Sequence, residues 1–240
     1  MADQALKWNE KNYLIFLDEL KSYSDEKYRV FNERLMPGTE NTLGIRVPVL
    51  RDIAKKIAKD DAAGFLAVPK GVHYEEILLE GLVIGYAKLE LSDFLRRINQ
   101  YAGKVNNWAL CDVAVSTWKQ IGKQLSLFWD TVLQMVKDEN PWINRVGIII
   151  MLDYYLTPKW IEKVFDTVEQ IKCDAYYVRM AIAWLLATAA AKEREKTLKY
   201  LKSCQLDIEI LKMTAQKMRD SRRVMDEDKR WITSFVNRKI

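Results

Sequence analysis

Apolar residues recur every three or four positions along nearly the whole chain, and no stretch alternates cleanly between apolar and polar. "NYLIFLDELKSY" and "VPVLRDIAKKIAK" carry the spacing of one helix face. Start signals accompany the periodic runs. Pro48 suits the first turn of a helix reaching about Lys59. Asn140-Pro141 and Thr157-Pro158 each put a capping residue before a proline, and Asp174 is placed to cap "AYYVRMAIAWLLATAAAK". Nine glycines and five prolines are sparse punctuation for 240 residues, which favours helices over many short strands. The pattern predicts an all-α fold.

A second regularity lies above the helical one. Tyr74, Trp108, Trp142 and Tyr176 stand 34 residues apart, and Ile210 continues the series. Each opens an apolar helical segment: "YEEILLEG", "WALCDVAV", "WINRVGII", "YYVRMAIA", "ILKMTAQK". Five residues in, the positions read Leu79, Val113, Gly147, Ala181 and Ala215; the last three are small, as close helix packing requires. Thirty-four residues accommodate two helices and two turns, so the chain reads as a curved α-solenoid, a superhelix of helical hairpins. The tetratricopeptide signature is absent, and HEAT-like hairpins fit better. The expected organisation is a single domain, 1–240, with N-terminal capping helices over 1–70 and repeats over 71–240.

The register makes some residues conspicuous. Four positions after the aromatic stand Leu78, Asp112, Val146, Met180 and Thr214, so Asp112 is the charged exception. Trp108 and Asp112, four apart, share a helix face. One position earlier stand Ile77, Cys111, Arg145, Arg179 and Met213, which sets Arg145 and Arg179 at matching places on successive hairpins. Trp184 follows Leu82, Ser116 and Ile150 in its own register. An unpaired buried carboxylate is costly, so Asp112 needs partners or water. Two readings stay open: a buried Asp112–Arg145 pair between repeats, or a partly open groove holding Asp112, Trp108 and the arginines, with Trp184 as a further wall.

Composition narrows the chemistry. The net charge of +5 and a pI near 8.9 fit a mildly basic surface as well as a nucleic-acid face. "KEREKTLKYLKS" and "RDSRRVMDEDKR" mix signs and read as solvated helix faces; Arg222 and Arg223 stand out only as candidates to touch phosphates. Cys111, Cys173 and Cys204 are scattered and read as reduced thiols of a cytoplasmic protein. The lone histidine, His73, reads as a loop or helix-end residue. Neither a metal site nor a Ser-His-Asp triad is expected, and no phosphate-binding glycine motif or cofactor site is present. The opening "MADQALKWNEKNYLIF" is unlike a signal peptide, and the longest apolar run, "VGIIIML", is too short to span a membrane. The chain is expected to be a monomer.

At "LGIRVPVLRDIAK", "NNWALCD", "PWINRVGI" and "YYVRMAIAWLL" the sequence resembles the DNA alkylation repair proteins of the HEAT-like repeat glycosylase family. The resemblance implies a solenoid that grips double-stranded DNA in its concave face and cleaves the N-glycosidic bond of purines alkylated at N3 or N7. It implies catalytic roles for Trp108, Asp112 and Trp184 and a supporting arginine at Arg145; the register sets Arg179 with Arg145 as expected substrate and DNA contacts. It also implies a short basic, aromatic helix before the "LG" element. Here that place reads "NERLMPGTENTLGI", and residues 35–45 contain no Lys, Arg or aromatic residue. "LLATAAAK", after Trp184, lacks the nearby basic side chain the resemblance implies. The chain therefore resembles a branch that keeps the catalytic residues without the DNA-engaging helix. The alternatives are an inactive scaffold retaining the cleft, or a binder of altered nucleic-acid structure.

Overall fold

The computed structural model describes residues 7–71, 73–172 and 174–239, and every regular element among them is helical. The chain divides into two compact units, one up to Lys119 and the other from Gln120.

The first unit contains α1 (Glu10–Lys21), α2 (Glu26–Leu35), α3 (Val47–Asp60), α4 (Ala62–Ala67), α5 (Tyr74–Tyr86), α6 (Leu91–Ala102) and α7 (Trp108–Val115). Its helices start where the sequence supplies an oxygen for free amides: Asn9, Asp25, Asp61 and Asn107 each cap with the side chain. Pro48 sits in the first turn of α3, as predicted. His73 is the N-cap residue of α5 and forms a capping box with Glu76. Helix α5 packs against both α3 and α7 and buries Leu78, Leu79, Leu82, Val83 and Ile84. Each such side chain contributes roughly 1.5–3 kcal/mol relative to exposure.

Three glutamates of α5 are buried with those apolar side chains. Glu75, with 0% of its surface exposed, accepts from the backbone amides of Leu43 (2.8 Å), Gly44 (2.8 Å) and Ile45 (3.2 Å). Glu76 accepts from the Tyr13 hydroxyl at 2.7 Å and from the amides of Gly71 and His73 at 2.9 and 3.1 Å. Glu80 takes both its bonds, at 2.7 Å, from the Lys104 ammonium. Burial pushes the Glu76 carboxyl up, but the bonds from Tyr13, His73 and Gly71 outweigh it and hold the group below its ordinary value.

Glu75 shapes the segment between α2 and α3. Asn41, Gly38 and Gly44 have φ of 55°, 83° and 77°, which no helix accommodates. At Gly44 a side chain would also collide, its Cβ falling 2.6 Å from that of Arg29. The segment is thus a pinned turn, and the absence of a helix over 36–46 agrees with the expectation from "MPGTEN".

The second unit takes up most of α8 (Lys119–Lys123), then α9 (Leu125–Met135), α10 (Pro141–Ile150), α11 (Ile161–Gln170), α12 (Tyr176–Lys192), α13 (Arg194–Ser203), α14 (Ile208–Asp220) and α15 (Asp226–Asn237). A π-helical turn, Met151–Tyr155, extends α10. Helix α12 packs between α10 and α14, and α9, α13 and α15 pair with these three in turn. This is stacking of helical hairpins, as the 34-residue spacing predicts. Gly147 explains one small residue of the series: a Cβ there would lie 2.7 Å from Val136 Cγ1 and 3.0 Å from Met135 Cβ, so α9 and α10 could not approach.

Two start signals act differently from their sequence reading. Asn140 caps α10 as expected, accepting from Trp142. Thr157-Pro158, however, forms a turn, and α11 begins only at Ile161. Ala175 occupies the N-cap position of α12. Asp174 instead accepts from Arg179 Nη2 at 2.6 Å, a charge-assisted bond that outcompetes a neutral amide cap. The run "RDSRRVMDEDKR" is a corner rather than one solvated helix: α14 ends at Asp220, residues 221–225 turn, and α15 opens with Asp226, Glu227 and Asp228 in its first turn. Cys111 and Cys204 are buried free thiols, while Cys173 lies outside the described residues. No helix among the described residues is long and apolar enough to cross a membrane.

Candidate functional site

Trp108 and Asp112 belong to the first unit, on α7. Asn107 starts the helix by accepting from the Leu110 amide at 3.0 Å, so the chain turns helical on the tryptophan itself. The indole Nε1 of Trp108 donates to the carbonyl of Leu35 at 3.0 Å. Leu35 is the last residue of α2, where helical carbonyls lack an internal partner. The bond thus satisfies a free acceptor and fixes the ring's orientation. One turn on, Asp112 is half-buried, as is its register counterpart Met180, whereas Leu78, Val146 and Thr214 are fully buried.

The far end of α7 is braced from α3. Arg51 Nη2 donates to Ser116 Oγ at 3.1 Å and lies 3.4 Å from the Val113 carbonyl, while Nη1 reaches the Tyr86 hydroxyl at 2.9 Å. A cation at the carbonyl end also complements the helix dipole. Asp112 thus sits on a short helix held rigid at both ends.

The neighbourhood of Trp108 holds residues that sequence reasoning missed. Helix α2, just before the pinned turn, carries Lys27, Tyr28, Arg29, Phe31 and Arg34. Phe31 is 57% and Leu35 47% exposed. Arg29 is held by Glu26 and Glu33, and Arg46 lies over the Tyr28 ring at 4.7 Å. A short basic, aromatic helix therefore precedes residues 35–45. It is formed by "EKYRVFNERL", upstream of the turn at 36–46.

Arg145, Arg179 and Trp184 belong to the second unit. Arg145 is 4% exposed, and its Nη1 donates to the Tyr177 carbonyl at 2.6 Å, tying α10 to the first turn of α12. Arg179 takes the matching register position but reaches Asp174 on the connection before its own helix. Equivalent places in the repeat thus serve different ends. Trp184 also departs from its register: Leu82 and Ile150 are buried, Ser116 is half-buried, and Trp184 is 38% exposed.

Trp184 lines a concavity of about 450 Å³ with Ala187, Thr188, Lys192, Lys217, Arg222 and Arg223. Small residues after the tryptophan leave room for this space. Beyond Lys192 at the end of "LLATAAAK", basic groups come from the corner after α14, brought alongside α12 by helix packing. That juxtaposition spans nearly forty residues of sequence and has no local signal.

Among the described residues, no three His, Cys, Asp or Glu side chains are grouped as a metal ion requires. What the first unit offers is a half-open carboxylate beside a fixed indole. What the second offers is an exposed indole beside cations. No curated protein matches the chain. The model of the DNA alkylation repair enzyme family matches residues 16–225. That match runs from within α1 to the corner before α15 and takes in both tryptophans, Asp112 and both arginines, and by it the chain belongs to the DNA alkylation repair enzyme family.

Proposed function

We propose that this protein is a DNA N-glycosylase that releases purines alkylated at N3 or N7 from duplex DNA. The observation that carries the reading is Asp112: a half-open carboxylate in a register otherwise apolar or neutral, one helical turn from a tryptophan locked to α2, in a member of an alkylation repair family.

The chemistry needs little else. A purine alkylated at N3 or N7 is already cationic, so the C1′–N bond can break with its electron pair leaving on a neutral base. No general acid is required, unlike the two-carboxylate arrangement of most glycoside hydrolases. Positive charge then develops on the sugar. Asp112 stabilises that charge and orients the water whose oxygen joins C1′ and whose proton departs to solvent. The face of Trp108 attracts the cationic nucleotide, and Trp184 offers an exposed indole of the same kind in the second unit. Arg145 supports the site by holding α10 to α12, and Arg179 contacts the DNA backbone.

The test is release of 7-methylguanine and 3-methyladenine from methylated duplex. Wild type releases base, and Asp112→Asn, similar in shape but neutral, does not. No release by wild type at high enzyme concentration would overturn the proposal. A second reading, a non-enzymatic scaffold that retains the cleft, is favoured by the pinned turn at 36–46, where the resemblance implies a DNA-engaging helix. It predicts no release and little duplex affinity even at low salt, where phosphate contacts are strongest.

A further inference from the structure

The chain's net charge is concentrated at one end. Residues 217–239 hold eight Lys and Arg against four Asp and Glu, a surplus of four where the whole chain carries +5. Two of those four acids are occupied elsewhere, since Glu227 and Asp228 hold Arg194 of α13. A third, Asp226, pairs with Lys229. Lys217, Arg222, Arg223, Arg230 and Arg238 make no ion pair among the described residues. Arg219 touches only the neutral groups of Thr233 and Gln216.

These cations open onto two concavities on either side of the end of α14. One is the space beside Trp184, lined by Lys192, Lys217, Arg222 and Arg223 and by the fourth acid, Asp220. The other, about 740 Å³, lies between α14 and α15 and is lined by Arg219, Lys229, Arg230 and Arg238 with Asp226, Thr233 and Asn237. The helix dipole accounts for basic residues in the last turn of α14, but not for those at the corner or along α15. Helix α15 also lies beyond the residues that the family model matches.

We infer that the α14–α15 hairpin is a binding surface for the sugar–phosphate backbone of nucleic acid, running from the Trp184 concavity across the corner onto the face of α15. This extends, and rests on, the reading of the chain as a duplex-DNA enzyme. The residue types select this partner. Five of the eight cations are arginines, whose forked donors match phosphate oxygens in pairs. Hydroxyl and amide groups interleave with them, as in backbone contacts. An aromatic face opens at one end of the track, suited to a sugar or base edge. A membrane surface would call for apolar side chains to insert, and of the large ones in the hairpin only Met225 is exposed.

The experiment measures binding of the full chain to an unmodified duplex across a salt series, by fluorescence anisotropy. The variants are Arg222→Ala/Arg223→Ala and Arg230→Ala/Arg238→Ala. Lys56→Ala/Lys59→Ala, on α3, removes the same charge elsewhere. Loss of two phosphate contacts should flatten the slope of log K against log salt by about 2 and weaken low-salt binding on the order of tenfold for each hairpin variant. The α3 variant should stay close to wild type. Binding unchanged in the hairpin variants, equal loss in the α3 variant, or no duplex binding by wild type overturns the inference. A hairpin variant that fails to bind an acidic protein while still binding duplex as wild type does would assign the surface to a different partner. Unmodified duplex makes the readout independent of catalysis: binding lost in the hairpin variants with no base release by wild type separates this inference from the glycosylase reading.

Discussion

Helices α5 and α7 hold successive places in the 34-residue register, and each carries acid within an apolar run. In α5, Glu75 and Glu76 are sealed from solvent and saturated by amides, a phenol and an imidazole. In α7, Asp112 keeps part of its surface open and stands a turn from an oriented indole. The difference teaches that a carboxylate in an apolar helix is not in itself a sign of chemistry. The glutamates are more deeply buried than Asp112, and their oxygens are used up in holding the segments before α3 and α5. A carboxylate available to a substrate must retain access to it.

The comparison can be broken in order of effect. Asp112→Asn should lower base release by about 100-fold or more, the scale for removing a charge that stabilises a transition state. If thermal stability fell instead while release persisted, the roles of the two helices would be reversed. Glu75→Ala should act the other way. It strands three backbone amides and should cost about 3 kcal/mol in chemical denaturation, with release per folded molecule retained.

A smaller effect is expected in acid. The folded Glu76 carboxyl is held below its ordinary value by its hydrogen bonds. Its contribution is therefore present above the unfolded value and lost as pH falls through the folded one. Denaturation midpoints should drop on the acid side of the carboxylate range, and Glu76→Gln should reduce that drop. The smallest effect is Trp108→Phe, which keeps a ring but removes the donor to Leu35. A loss of about 1 kcal/mol is expected, with slower release from a ring no longer fixed. Release equal to wild type would show that its orientation is unimportant.

Much of this was legible along the chain. Asn140-Pro141, Pro48 and His73 act where they were expected, because caps and first-turn prolines depend on neighbours within a turn. Asp174 and Thr157-Pro158 did not, because a local preference worth about 1 kcal/mol yields to a charged partner or to the packing of a turn. The conspicuous acid in the register was found, while the three buried glutamates beside it in "YEEILLEG" were not. Their partners, at Tyr13, at 43–45 and at Lys104, lie outside the helix that bears them.

The sequence by itself determined an all-helical chain, the hairpin period, and which residues break it: these follow from spacing and local sterics, which the chain carries at every point. Only the tertiary structure decided which of the acids are sealed and which remain open, that Arg145 ties α10 to α12, and that Trp184 faces Arg222 and Arg223. Burial, hydrogen-bond saturation and the clustering of like charge depend on residues far apart in sequence. Helix packing alone brings them together.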